Sequence, residues 1–156
     1  NGARFVVELP AVSAAPDGFA TGPAQSTGIS TALIIDDEPD VAGALSDILE
    51  LMGIRSRVIS AWAGVADAFS DPLPDIVFSD LRMPGASGMA IYREVMESRP
   101  DMACRFVLVT GDMLGARAEL EALPPHDRPQ VLEKPFSTLD VRGVLAVIND
   151  QVALKR

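Results

Sequence analysis
From Thr31 onward the apolar residues of this chain fall into two alternating patterns. Short continuous runs, Thr-Ala-Leu-Ile-Ile at 31–35, Ile-Val-Phe at 76–78 and Phe-Val-Leu-Val at 106–109, are rich in β-branched and aromatic side chains. Strands covered on both faces read this way, because neither side alternates with water. Between the runs, apolar residues recur at three- and four-residue spacing. Val41, Leu45, Ile48, Leu49 and Met52 make one helical stripe, and Gly53 stops it. Val141, Val144, Leu145, Ile148 and Val152 make another, behind Ser137-Thr-Leu-Asp140, which has the form of a capping box. The pattern predicts strands at 31–36, 55–59, 75–80, 105–110 and 130–133. It predicts helices at 39–52, 62–70, 87–98, 113–122 and 137–153. Strands and helices in strict alternation imply an α/β domain, a parallel sheet with right-handed crossovers. Sites in such open sheets form at the carboxyl ends of the strands.

The first thirty residues break the pattern. Residues 4–9, Arg-Phe-Val-Val-Glu-Leu, read as one strand, and residues 1–10 as the end of a preceding domain. Pro10, Pro16, Pro23, Gly18, Gly22 and Gly28 then punctuate a stretch with too little apolar mass to fold alone, so 11–30 reads as a flexible linker and 31–153 as the domain. A chain that begins Asn1-Gly2 is expected to be a piece of a longer protein. No internal repeat is visible. The whole chain has 156 residues, enough for one core, and aromatics are few, so that core is aliphatic. The net charge of −9 disfavours a nucleic-acid or anionic-membrane partner, since no basic patch is present to displace counterions. Cys104 is the single cysteine, which rules out an internal disulfide and favours a reducing, cytoplasmic setting. No apolar run is long enough to cross a bilayer.

The expected strand ends carry the chemistry. The first ends in Asp36-Asp37, the third in Asp80, the fourth in Thr110-Gly111 and the fifth in Lys134-Pro135-Phe136. Each alone is ordinary: an acid after a strand commonly caps the next helix, and a lysine is commonly solvated. Together they bring three carboxylates, a hydroxyl and an ammonium to one edge. Close carboxylates raise one another's pKa, and a divalent cation relieves the repulsion. Mg²⁺ prefers oxygen ligands and retains waters, which suits a few carboxylates and a carbonyl. Phosphoryl transfer then needs an in-line nucleophile and positive charge near the equatorial oxygens. Asp80 supplies the carboxylate, Lys134 and the metal the charge, and Thr110 a hydroxyl donor.

Leu-Ile-Ile-Asp36-Asp37-Glu-Pro, Ser-Asp80-Leu-Arg-Met-Pro84-Gly, Val-Thr110-Gly111-Asp and Glu-Lys134-Pro135-Phe136 together resemble the receiver domains of two-component response regulators, over residues 31 to about 153. The resemblance implies a flavodoxin-like (CheY-like) fold with a five-stranded parallel sheet, strand order 2-1-3-4-5, and helices on both faces. It implies that Asp80 accepts a phosphoryl group from a phosphohistidine, and that the domain catalyses its own phosphorylation and dephosphorylation. It implies Mg²⁺ or Mn²⁺ held by Asp37, Asp80 and the main-chain carbonyl of Arg82, with Asp36 assisting. It further implies Lys134 on the phosphoryl group, a cis Lys134-Pro135 peptide and a histidine kinase or histidine phosphotransfer protein as partner, with the domain a monomer or weak homodimer. Gly2-Ala-Arg-Phe-Val-Val-Glu-Leu-Pro10 is similar to the closing strand of histidine kinase ATP-binding domains, which points to the C-terminal receiver of a hybrid sensor kinase, with a membrane-anchored parent chain as one expectation.

Four residues qualify the resemblance. Val131 stands three before Lys134, where receivers commonly carry Tyr or Phe, so a switch coupled through an aromatic ring is not expected. Arg82 and Asp112 follow Asp80 and Thr110 by two residues each and are expected to flank the site's mouth, either paired across it or separately solvated. Gly111 leaves space beside the phosphoryl position for an imidazole. His126, Trp62, Cys104, Tyr92 and Met96 read as surface, packing, inert thiol and core, without a role in the chemistry. Two other functions compete: a pseudo-receiver that only binds a partner, and a small Asp-nucleophile phosphatase. The second would want Asp-x-Asp after the first strand, where this chain has an adjacent pair.

Overall fold
The computed structural model describes residues 28–60, 68–69 and 72–154. The expected strand 4–9, nearly all of the expected linker, Trp62 and most of the expected helix 62–70 lie outside the described residues. Numbering the strands of the main sheet in chain order, β1 is Thr31–Ile35, β2 Arg55–Ile59, β3 Ile76–Asp80, β4 Phe106–Thr110 and β5 Gln130–Glu133. Their spatial order is β2-β1-β3-β4-β5, and every neighbouring pair is parallel. Four helices are described: α1 Pro39–Leu51, α2 Gly88–Ser98, α3 Met113–Glu121 and α4 Thr138–Leu154.

Two cores sandwich the sheet, and the pleat sorts side chains between them. Ile34, Ile76, Phe78, Val107, Val109 and Leu132 face α1 and α4, against Leu45, Leu49, Val141 and Ile148. Leu33, Ile35, Val77, Phe106 and Leu108 face the opposite way, against Met89, Ile91, Tyr92 and Val95 of α2 and Ala116 of α3. Burial on both sides explains why Ile76–Phe78 of β3 and Phe106–Val109 of β4 are continuously apolar rather than alternating.

The element ends differ from the expected ones by one residue, for local reasons. Asp36 leaves β1 because its side chain turns to accept from the Glu38 amide at 2.8 Å. Asp75 precedes β3: its amide still donates to Thr31 O at 3.0 Å, while its side chain collects hydrogen bonds from Ser30 and Thr31. Arg105 ends a single 3₁₀ turn, Ala103–Arg105, so β4 starts at Phe106. Ser87 and Ser137 are caps, not helix: Ser87 Oγ accepts from the Ala90 amide, and Ser137 and Asp140 bond reciprocally. Met52 and Ala122 likewise cap α1 and α3.

Between β3 and α2 lies a feature that apolar periodicity does not signal, a two-residue antiparallel ladder pairing Arg82 with Ser87 and Met83 with Ala86. Pro84 and Gly85 occupy its turn, and Gly85 has φ +85°. Proline first and a left-handed glycine second is the arrangement a type II turn requires. The turn folds the segment after Asp80 back on itself and holds Arg82 beside the sheet edge.

Candidate functional site
Parity along the strands decides which side chains meet. Asp36 follows Ile34 by two residues, Asp80 follows Phe78 by two, and Lys134 follows Leu132 by two. All three therefore emerge on the face shared with α1 and α4, at the carboxyl ends of the strands. A register slip of one residue would send any of them to the other face. Backbone bonds carry the alignment past the strand ends: Asp36 N to Ile59 O at 3.1 Å, Leu81 N to Val109 O at 2.8 Å, and Lys134 N to Thr110 O at 2.8 Å.

Lys134 is the centre of the cluster. Its Nζ lies 3.0 Å from Asp36 Oδ2, 2.9 Å from Asp80 Oδ1 and 2.9 Å from Glu38 Oε1. The lysine side chain is 15% exposed, and those of Asp36 and Asp80 are 4% and 8% exposed. Burial works against the ammonium, yet hydrogen bonds to Glu38, Asp80 and Asp36 outweigh it and hold its pKa above the ordinary lysine value. For Asp80 the balance falls the other way. Burial raises its pKa, with Asp36 adding to the rise, and the opposing hydrogen bond from Lys134 does not cancel it. Asp80 Oδ2 also accepts from the Arg82 amide at 3.0 Å, which fixes the carboxylate plane.

Asp36, Asp37 and Asp80 each offer a carboxylate oxygen, all within 4.8 Å of one another. An all-oxygen donor set of this compactness fits a hard divalent cation such as Mg²⁺, which takes oxygen ligands and keeps part of its water shell. With Glu38 included, four carboxylates face one ammonium, so the pocket retains excess negative charge that such a cation would neutralise.

Thr110 is buried, and its Oγ1 accepts from the Asp112 amide at 3.0 Å, which leaves the hydroxyl proton for another acceptor. Gly111 is exposed, and a Cβ there would meet nothing within 4 Å. Arg82 and Asp112 meet: Arg82 Nη2 donates to Asp112 Oδ2 at 3.0 Å, linking the segments that follow β3 and β4. The Lys134-Pro135 peptide is cis. Val131 is half-buried on β5 and lines a groove of about 650 Å³ between β5 and α4, which Lys134 also lines.

Two residues near the cluster carry no mark in a sequence reading. Glu38 looks like one more acid at a helix start, and its lysine partner is 96 residues away. Gly88 looks like turn composition, but a Cβ on it would collide with the main-chain carbonyl of Asp80 and lie 3.0 Å from Ser79 Oγ. Its missing side chain lets α2 start directly against the backbone that carries Asp80. By contrast, His126 is exposed beside Asp127, and Tyr92 is buried, donating to Asp127 O and packing on Phe106 at 5.2 Å between ring centroids.

A family model described as the response regulator receiver domain matches residues 32–145. The C4-dicarboxylate transport transcriptional regulatory protein DctD of Rhizobium meliloti is 37% identical over 81 residues, 50% of this chain and 16% of that protein. The DNA-binding transcriptional regulator NtrC of Klebsiella pneumoniae is 30% identical over 122 residues, 78% of this chain and 24% of that protein. The chain thus spans about a quarter or less of the length of these relatives. A response regulator receiver domain protein from Clostridium thermocellum superposes with a TM-score of 0.65 at 27% identity, over 81% of this chain and 97% of that one. A putative response regulator from Chloroflexus aurantiacus gives 0.64 at 26% identity, over 77% of this chain and 98% of that one.

Proposed function
The chain belongs to the family of response regulator receiver domains, and on that premise we propose that it accepts a phosphoryl group on Asp80 from a phosphohistidine. The observation that carries this reading is the meeting of Asp80 and Asp36 on Lys134, within 3.0 Å, at the carboxyl edge of the sheet. An Asp80 carboxylate oxygen attacks phosphorus, the phosphorus–nitrogen bond to the donor imidazole breaks, and the imidazole leaves with the bond's electron pair. The product is an acyl phosphate. Burial and the Arg82 amide hold the Asp80 carboxylate in one orientation, which lowers the entropic cost of in-line attack. Lys134, kept protonated by its three carboxylates, shifts a hydrogen bond to the incoming phosphoryl oxygens. The Thr110 hydroxyl donates to another of those oxygens, and the open space at Gly111 admits the donor ring. Asp36, Asp37, Asp80 and the Arg82 carbonyl would hold Mg²⁺ or Mn²⁺, which when bound supplies charge neutralisation for the transferring group.

In this reading the partners are a histidine kinase, a histidine phosphotransfer protein or both. The pattern Gly2–Pro10, outside the described residues, supports a place after the ATP-binding domain of a hybrid sensor kinase. The Arg82–Asp112 bridge spans the gap between the segments carrying Asp80 and Thr110 and limits the access of water to the acyl phosphate. The test is incubation with acetyl phosphate and Mg²⁺, followed by intact mass. One added phosphoryl group, absent in Asp80→Asn, is the expected result. No adduct would favour a partner-binding pseudo-receiver, and continuous turnover of generic phosphate esters would favour a phosphatase.

A further inference from the structure
Asp112 is a junction of three contacts. Its amide donates to Thr110 Oγ1 at 3.0 Å, its Oδ1 caps α3 by accepting from the Gly115 amide at 2.9 Å, and its Oδ2 takes Arg82 at 3.0 Å. The Gly115 amide is the leading cause that holds the Asp112 carboxyl below the usual carboxylate range, with Arg82 contributing. Arg82 is tied in turn to Asp80 through its own amide. A closed path therefore runs from the proposed phospho-acceptor through Arg82 and Asp112 to Thr110, across the adjacent strands β3 and β4. Gly115 sits under the middle of that path. A Cβ at 115 would overlap Asp112 Oδ2 and come within 2.6 Å of Arg82 Nη2. Both atoms end exposed side chains, 62% and 50% accessible, so they would move aside and the fold would not break. Glycine at a helical position is otherwise unfavourable by about 1 kcal/mol relative to alanine. Within this structure, what glycine supplies at 115 is room for the guanidinium to lie on the cap.

We propose that Gly115 is a positioning residue for the phosphorylation site: the space it leaves seats Arg82 on Asp112, and the seated bridge sets how fast water reaches an acyl phosphate on Asp80. This rests on the receiver reading. The step it governs is hydrolysis, in which water attacks phosphorus, the bond to the Asp80 oxygen breaks, and carboxylate and inorganic phosphate are released. Gly115→Ala is expected to unseat Arg82 while keeping or raising the melting temperature, because alanine suits a helix better.

The experiment phosphorylates the full chain with acetyl phosphate and Mg²⁺, removes the donor, and follows loss of the adduct by intact mass. Gly115→Ala and Arg82→Ala should each shorten the half-life by at least about twofold, the scale of an exposed ion pair. The double variant should decay no faster than Arg82→Ala alone, since both changes remove one device. A half-life unchanged by Gly115→Ala, or effects that multiply in the double variant, would overturn the inference and leave the receiver reading standing. Absence of any adduct on the unaltered chain would instead overturn both.

Discussion
At the residue scale, two positions outside the proposed ligand set make sharp predictions. Asp75 sits at the opposite end of β3 from Asp80, and its Oδ2 accepts four hydrogen bonds from Ser30 and Thr31. Burial favours its neutral form, but these bonds outweigh it and the carboxyl is held below the ordinary aspartate value. The unfolded chain therefore takes up this proton first as pH falls. The stability Asp75 contributes is present above its unfolded value and fades as pH drops through the lower folded value. Asp75→Ala should cost about 1 kcal/mol at neutral pH by removing its hydrogen bonds to exposed Ser30 and half-buried Thr31. Urea unfolding at pH 7 and pH 3 should show the gap narrowing, and a gap that widens in acid would contradict the assignment. Gly88 is the second position. A side chain there would meet the Asp80 carbonyl, which is backbone and cannot swing away, unlike the side-chain ends above Gly115. Gly88→Ala should cost about 1–3 kcal/mol as overpacking. It should also slow phosphorylation by acetyl phosphate, because the strain falls on the acceptor's own peptide. Unchanged stability and rate would show that α2 retreats freely.

At the element scale, the reach of any conformational change depends on β5. Among the described residues, none lining the groove beside Val131 is an aromatic ring that could exchange between inward and outward positions. In the proposed reading, Thr110 moves toward a phosphoryl group while β5 and α4 stay as they are. Beryllofluoride with Mg²⁺ should therefore perturb backbone amides strongly around residues 80–82 and 110–112 and weakly along α3 beyond its first turn and along α4. Large shifts across both helices would show that coupling runs through this face without a ring. Legibility in the sequence also divides at this scale. Strands β1, β3 and β4 announce themselves as apolar runs because both faces are covered, and their parity carries Asp36 and Asp80 to the right face. β2 is largely exposed, Arg-Ser-Arg-Val-Ile, so position between other elements marked it more than composition did. The Arg82–Ser87 ladder escaped notice, since two residues are too short for any period. Glu38, Gly88 and Gly115 escaped because their roles depend on what approaches them from other elements: a lysine, a carbonyl and a guanidinium.

At the scale of the whole molecule, the described residues form a sheet with a core on each side, and the chemistry sits where no core is needed, at the carboxyl edge. No described helix is long and apolar enough to cross a membrane. DctD and NtrC, two of its relatives, are transcriptional regulatory proteins several times longer than this chain. The central claim concerns one carboxylate. Reduction of the phosphorylated chain with labelled borohydride converts an acyl phosphate to a labelled alcohol and records its position by peptide mass. The account predicts label on the peptide carrying Asp80, dependent on Mg²⁺ and lost in Asp80→Asn. Label on Asp36 or Asp37, or none on a chain shown to be folded and metal-loaded, would contradict it.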